Sequence, residues 1–303
     1  MYRIERLLCP IDFSLAAQYA TRYAAFLAEK ERGTITFMYV DEHEKDPLGF
    51  LDHREEDTTD YRTSVGDVAQ RKFAEFITKT SLDAGKIEFL VRFGTAYREI
   101  IAEAETKRYT AVVIATEGIG HSSPHLIGRT VERVVRLCRT PVITVRPNYQ
   151  VNEWSIRTIL TPTDFSEYSN YAIPYAVSIA RRHHAKIVLL HVADLKTQSP
   201  ELLTHKFPEM KLYHEQADEI DVEMLVGRDV DPENTIVRLA EELKADLVVM
   251  GTHGARGMRR VQIGNVVEEV VRRTATPVLT ITHPIHKTVF PLRFVEDYDE
   301  PQT

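Results

Sequence analysis

Residues 7–14 read LLCPIDFS, and residues 159–166 read ILTPTDFS. The same run of apolar residues, proline, aspartate, phenylalanine and serine is written twice, and Asp164 follows Asp12 by 152 positions. Working outward, Tyr19-Ala20 returns as Tyr171-Ala172 at the same offset, and Val40 returns as Val192. Further on the offset falls to 136. Gly118 then matches Gly254, Gly128 matches Gly264, VERVVR (131–136) matches VEEVVR (267–272), and TPVITV (140–145) matches TPVLTI (276–281). The first copy therefore holds 16 extra residues, mostly within the acidic stretch 42–63, which reads as a solvated loop insertion. A period this long marks a duplicated domain and not a solenoid of short repeats. The expected divisions are 1–147 and 154–283, joined through RPNYQVNE (146–153), with a tail 284–303 expected to pack loosely or to be disordered.

Each copy alternates short apolar runs with helical patterns. In the second copy strands are expected at 158–164, 185–194, 220–226, 245–252 and 276–282. Unbroken Val/Ile/Leu runs suit strands buried on both faces of a parallel sheet. A helix is expected over 167–184 behind the N-cap Ser166, kinked at Pro174; the first copy has Arg22 there and should run straighter. Another opens with Asp231-Pro232, and a third places Val266, Val267, Val270 and Val271 on one face. Strand and helix in alternation predict an α/β fold with right-handed crossovers. In such folds ligands bind beyond the carboxyl ends of the strands, where the strand order reverses.

The composition excludes several classes. With 38 basic and 45 acidic residues the net charge is −7, which gives no electrostatic case for binding nucleic acid or an anionic membrane. Two cysteines, Cys9 and Cys138, are too few for a disulfide scaffold or a four-cysteine zinc site; both read as small buried apolar groups. No apolar run approaches the roughly 20 residues of a membrane span, and MYRIERLLCPID does not read as a signal peptide. The expected compartment is the cytoplasm. The chain lacks a P-loop and a nucleophile elbow.

The segment after the fourth strand of the second copy reads MGTHGARGMRRVQIGNVVEEVV (250–271). Gly251 and Gly254 allow backbone to approach a polyphosphate closely. Gly264-Asn265 places free amides at a helix N-terminus, where the macrodipole favours an anion. Arg256, Arg259 and Arg260 lie in the intervening loop and could neutralise phosphate charge.

These residues, with PTDFSE (162–167) and LLHV (189–192), make the chain resemble a tandem universal stress protein. The family pattern of Gly, two residues, Gly, nine residues and Gly is met by Gly251, Gly254 and Gly264, with Asn265 where Ser or Thr is usual. The resemblance implies two tandem open five-stranded parallel sheets with helices on both faces, Rossmann-like and of the adenine nucleotide alpha hydrolase type. It implies ATP or another adenine nucleotide in the second copy, with no metal beyond the Mg that accompanies ATP. Pro162, Thr163, Asp164 and Val192 would lie near the adenosine. Met250, Gly251, His253 and Gly254 would follow the ribose and phosphates, and Gly264, Asn265, Val266 and Val267 would close the phosphate end. The first copy keeps Asp12, Val40, Gly118 and Gly128, but has Ala115 for the first glycine, Glu117 for the histidine and Arg129 for Ser or Thr. That marks a degenerate site, in which Glu117 would repel phosphate and Arg129 could bind a phosphate, fill its place, or pair with Glu117.

The expected role is regulatory, in a stress response, without robust catalysis; a slow ATPase and a ligand-free interaction module are the alternatives. The two copies should pair within the chain as a pseudo-twofold dimer through their last strands, as single-domain relatives do between chains. A homodimer of chains stays open, and no protein partner is named by the sequence. His121 and His125 read as loop residues rather than metal ligands, and His191 as a satisfied core histidine.

Overall fold

The computed structural model describes residues 2–42, 55–78, 87–118, 127–147, 154–194, 203–210, 219–254 and 265–284. The first half runs β1 (Arg6–Pro10), α1 (Leu15–Glu31), β2 (Thr34–Asp41), α2 (Glu55–Thr78), β3 (Ile87–Phe93), α3 (Ala96–Thr106), β4 (Ala111–Ala115), α4 (Arg129–Leu137) and β5 (Val142–Val145). The second runs β6 (Thr158–Pro162), α5 (Glu167–Asn170), α6 (Ile173–His183), β7 (Lys186–Ala193), β8 (Val222–Arg228), α7 (Pro232–Glu242), β9 (Leu247–Gly251), α8 (Asn265–Arg273) and β10 (Val278–Ile281). Each half is the α/β unit that the apolar runs foretell, with helices on both faces. Among the described residues no helix is long and apolar enough to cross a membrane.

The ten strands form one sheet in the order β3-β2-β1-β4-β5-β10-β9-β6-β7-β8. Pairing is parallel within each half and antiparallel where β5 meets β10. The two expected five-stranded sheets are joined edge to edge through their last strands: as free edges VITV (142–145) and VLTI (278–281), both wholly buried here, would leave a row of backbone groups unpaired. Ile143 lies opposite Leu279, its own counterpart, so a pseudo-twofold axis passes between them. Thr144 Oγ1 donates to the Val278 carbonyl at 3.4 Å, and the equivalent Thr280 Oγ1 donates to the Val142 carbonyl at 3.1 Å.

The same exchange recurs in the side chains on one face. Tyr2 packs on Tyr175 with ring centroids 4.6 Å apart, and Trp154 packs on Tyr23 at 4.8 Å. Trp154 is the counterpart of Tyr2 and Tyr175 that of Tyr23, so each half gives the other what it receives. That reciprocity is the mark of an isologous interface. Both layers of core cross the junction: Tyr23, Ile143, Ile173 and Leu279 share one cluster, and Val134, Val142, Val270 and Val278 share the other.

Two local differences from the sequence expectation have physical causes. The helix expected over 167–184 is two helices, α5 and α6, with Pro174 in the first turn of α6. Proline has no N–H to continue the ladder, so it starts a new helix instead of kinking the old one. Its counterpart α1, with Arg22 in place, runs unbroken for 17 residues. The acidic insertion is not all loop: residues 55–63 are the start of α2. Tyr61 on this helix donates its hydroxyl to Asp41 Oδ2 at 2.6 Å. The remainder of the insertion, 43–54, the tail beyond 284, and His121 and His125 lie outside the described residues.

Candidate functional site

β6 pairs with β7 over five residues but with β9 over only two, Ile159 with Leu247 and Leu160 with Val248. Beyond these the strands part, and the chain order reverses at the gap. A crevice at such a switch point is where open α/β sheets take ligands. Asp164 stands on one wall, just after β6, and Gly251 to Gly254 form the other, at the end of β9. The walls touch: a Cβ on Gly254 would lie 2.4 Å from Asp164 Oδ2, and a Cβ on Gly251 would lie 2.7 Å from the Tyr168 carbonyl. Glycine is required at both positions by close approach.

Asp164 is fixed by its surroundings. Its Oδ1 accepts from the Ser166 amide at 3.0 Å and from the hydroxyls of Ser166 and Ser169 at 2.5 and 2.7 Å. Phe165, between Asp164 and Ser166, has φ 65°, and the equivalent Phe13 has φ 63°. A left-handed phenylalanine costs on the order of 1–2 kcal/mol, and strain of this kind gathers at functional sites. Nothing in the residue type announces it; the repetition of Asp-Phe-Ser is the only trace in the sequence. The strained ring is held by stacking on His191 at 4.1 Å and edge-on against Phe207 at 5.1 Å.

The residues anticipated near the adenosine divide into wall and brace. Pro162 is buried at the end of β6, and Val192 is half-buried on β7. Thr163 is a brace: its hydroxyl donates to Asn170 Oδ1 at 2.7 Å and accepts from the Phe165 amide at 3.0 Å. Its carbonyl accepts from His191 Nδ1 at 2.9 Å. A carbonyl only accepts, so Nδ1 carries the proton, and burial lowers the imidazole pKa and favours this neutral form. His191 is the satisfied core histidine that the sequence suggested.

At the other end, the side chains of Met250 and Val267 are buried in the core. His253 is also buried, with Nδ1 2.9 Å from Thr252 Oγ1. Asn265 is exposed in the first turn of α8, with Val266 half-buried beside it. Gly264 and the arginines at 256, 259 and 260 lie outside the described residues.

The first half repeats the frame. β1 and β4 pair over Leu7 with Ala111 and Leu8 with Val112 only, and a Cβ on Gly118 would lie 2.7 Å from Asp12 Oδ2. Asp12 Oδ1 accepts from the Ser14 amide at 2.9 Å. Val40 is half-buried on β2, Gly128 caps α4, and Arg129 is exposed at the first position of that helix. The Glu117 carboxylate is paired, but its partner is Arg146, at 3.1 Å, where Arg129 was one expectation. Arg146 follows β5 directly and projects from the twofold junction, a neighbour that only the folded sheet brings to Glu117. Cys9 and Cys138 are buried, and burial pushes both thiols up to about 12.

A family model for the universal stress protein family matches this chain twice, over residues 3–146 and 155–282. The chain belongs to the universal stress protein family. Universal stress protein Slr1230 of Synechocystis is 24% identical over 291 residues, spanning 90% of this chain and 98% of the relative, so the likeness runs through both halves. Universal stress protein MJ0531 of Methanocaldococcus jannaschii is 34% identical over 144 residues, 42% of this chain and 83% of its own. Among solved structures, a universal stress protein from Archaeoglobus fulgidus covers 93% of this chain and 99% of its own, with a TM-score of 0.69 at 22% identity. That likeness concerns the universal stress protein fold.

Proposed function

We propose that this chain is a universal stress protein that binds ATP mainly in its second half and acts as a regulator in a stress response. The observation that carries the reading is the seating of Gly254 against Asp164 across the switch-point crevice. It narrows the wall to bare backbone beside the first turn of α8, where free amides and the helix dipole favour phosphate. The residues assigned to the nucleotide are Pro162, Thr163, Asp164, Val192, Met250, Gly251, His253, Gly254, Gly264, Asn265, Val266 and Val267. Thr163 acts by bracing the turn, and Met250 and Val267 through their backbone.

The first half is the lesser site. Asp12, Val40, Gly118, Gly128 and Arg129 keep its outline, but the Glu117–Arg146 pair stands near its phosphate end. A carboxylate there opposes a triphosphate, and a guanidinium already engaged offsets it little. Robust catalysis is not part of this reading.

Mass spectrometry of material released on denaturing the purified chain, with calorimetric titration of MgATP, tests the proposal. The expected result is an adenine nucleotide and a stoichiometry near one per chain, with binding abolished in Gly264→Val. No retained nucleotide and no binding heat would remove it.

A further inference from the structure

Arg146 and Thr282 are counterparts, each one residue past the last strand of its half. Both reach across the junction. Arg146 Nη1 donates to Glu117 Oε1 at 3.1 Å, in the turn after β4 of its own half. Its Nη2 donates to the carbonyl of Arg272, in the last turn of α8 in the other half. Thr282 does the converse. Its hydroxyl donates to the Cys138 carbonyl, at the end of α4, at 3.1 Å, and accepts from Thr252 at 3.4 Å. The Thr252 oxygen in turn lies 2.9 Å from His253 Nδ1. In both directions, the turn that lines one crevice is tied to the far end of the helix that opens on the other crevice.

We infer that Arg146 positions α8 from across the junction, so that nucleotide affinity in the second half is set in part by a side chain of the first. The inference rests on the nucleotide site proposed above. A helix of nine residues is about 13 Å long and too short to be stable by itself. Its place comes from what holds it. Within its own half, Arg273 Nη1 donates to Asn234 Oδ1 at 2.7 Å, and Val267, Val270 and Val271 are buried beneath it. Arg146 adds the hold from outside: it satisfies a carbonyl that the helix end leaves open and sets a positive charge at the negative end of the dipole. Both effects favour an anion at the first turn. The reverse tie is weaker, because the Thr282 hydroxyl is neutral and a charged donor makes roughly twice the hydrogen bond. The influence therefore runs chiefly from the first half to the second.

The test uses the full chain. Arg146→Thr installs the residue that the other half carries at this place, Arg146→Lys keeps the charge, and Glu117→Gln breaks the ion pair while leaving the donor to Arg272. Calorimetric titration with MgATP reads affinity, and hydrogen exchange of the amides at 269–273, the first that bond within the helix, reads how firmly α8 is held. Arg146→Thr is expected to weaken MgATP binding roughly five- to tenfold and to speed exchange there. Arg146→Lys should recover part of both, and Glu117→Gln should leave the exchange of α8 unchanged. Wild-type affinity and wild-type exchange in Arg146→Thr would overturn the inference. If the wild-type chain takes up no MgATP, it is the nucleotide reading that fails, and the exchange comparison still decides whether Arg146 holds the helix. Should Arg146→Thr not fold, the same pair of readings on Arg146→Gln decides in the same way.

Discussion

Glu31 and His183 hold the same place in the two copies, 152 residues apart, and they meet: His183 Nε2 lies 3.0 Å from Glu31 Oε1. Arg182 Nε stands 2.6 Å from the other carboxylate oxygen. In a symmetric homodimer a residue this close to the axis faces its own copy, and like charges at such a distance repel. Joining both copies in one chain frees the two positions to become acid and base.

Burial by itself would raise the Glu31 carboxyl pKa, but the hydrogen bond from His183 and the charge of Arg182 hold it below its ordinary 4.5. A lowered carboxyl contributes stability above that ordinary value and loses it as pH falls through the lowered one. With only 2% of its side chain exposed, Glu31→Gln should cost about 3 kcal/mol at neutral pH. The gap from wild type should narrow as pH falls below the ordinary 4.5 and through the lowered pKa. Urea unfolding of both proteins at neutral and acid pH checks the sign as well as the size.

Trp154 is the only tryptophan of the chain, and its partner Tyr23 belongs to the other half. Its fluorescence therefore reports on the junction. Because one sheet and two core layers run through both halves, the fluorescence and far-UV circular dichroism transitions should coincide on denaturant unfolding. Trp154→Ala should lower stability by about 2 kcal/mol, less than a fully buried tryptophan would. A fluorescence change well before the loss of circular dichroism would mean that the halves part while still folded.

Gly254 and Gly118 are counterparts under different demands. Gly254→Ala forces a methyl to within 2.4 Å of Asp164 Oδ2 and should weaken MgATP binding at least tenfold, on the order of 1.4 kcal/mol, in a folded chain. Gly118→Ala meets Asp12 Oδ2 at 2.7 Å and should lower the melting temperature while leaving MgATP affinity alone. Titration and thermal melts of the two variants side by side separate the crevices.

Both thiols are buried and held up to about 12. The thiolate is the reactive form, so neither cysteine should titrate with a thiol reagent in the native chain near pH 8. Both should react once the chain is unfolded in guanidinium. A fast-reacting native thiol would contradict the packing around β1 or the end of α4.

How much of this was legible in the chain depended on how local the cause was. The buried strands announce themselves because parallel pairing under two helix layers demands unbroken apolar runs, as in LVVMG of β9. The break at Pro174 was located but misjudged in degree, since whether proline kinks a helix or restarts it depends on the packing around it. That β5 and β10 pair with each other could be anticipated only from related dimers, as VITV and VLTI look like any central strand. The left-handed Phe13 and Phe165 were invisible, because their strain is imposed by the Asp-Ser turn and the rings packed around it. The partner of Glu117 was missed for a plainer reason: Arg146 lies 29 residues away and reaches it only when the sheet has formed.

The antiparallel ladder between β5 and β10 also has a consequence for dosage. Between separate chains such a ladder forms and falls apart with concentration. Here a short joining segment supplies an effective concentration on the order of millimolar, so dilution does not undo it. However little of the protein a cell makes, every molecule carries both crevices, in a ratio of one to one.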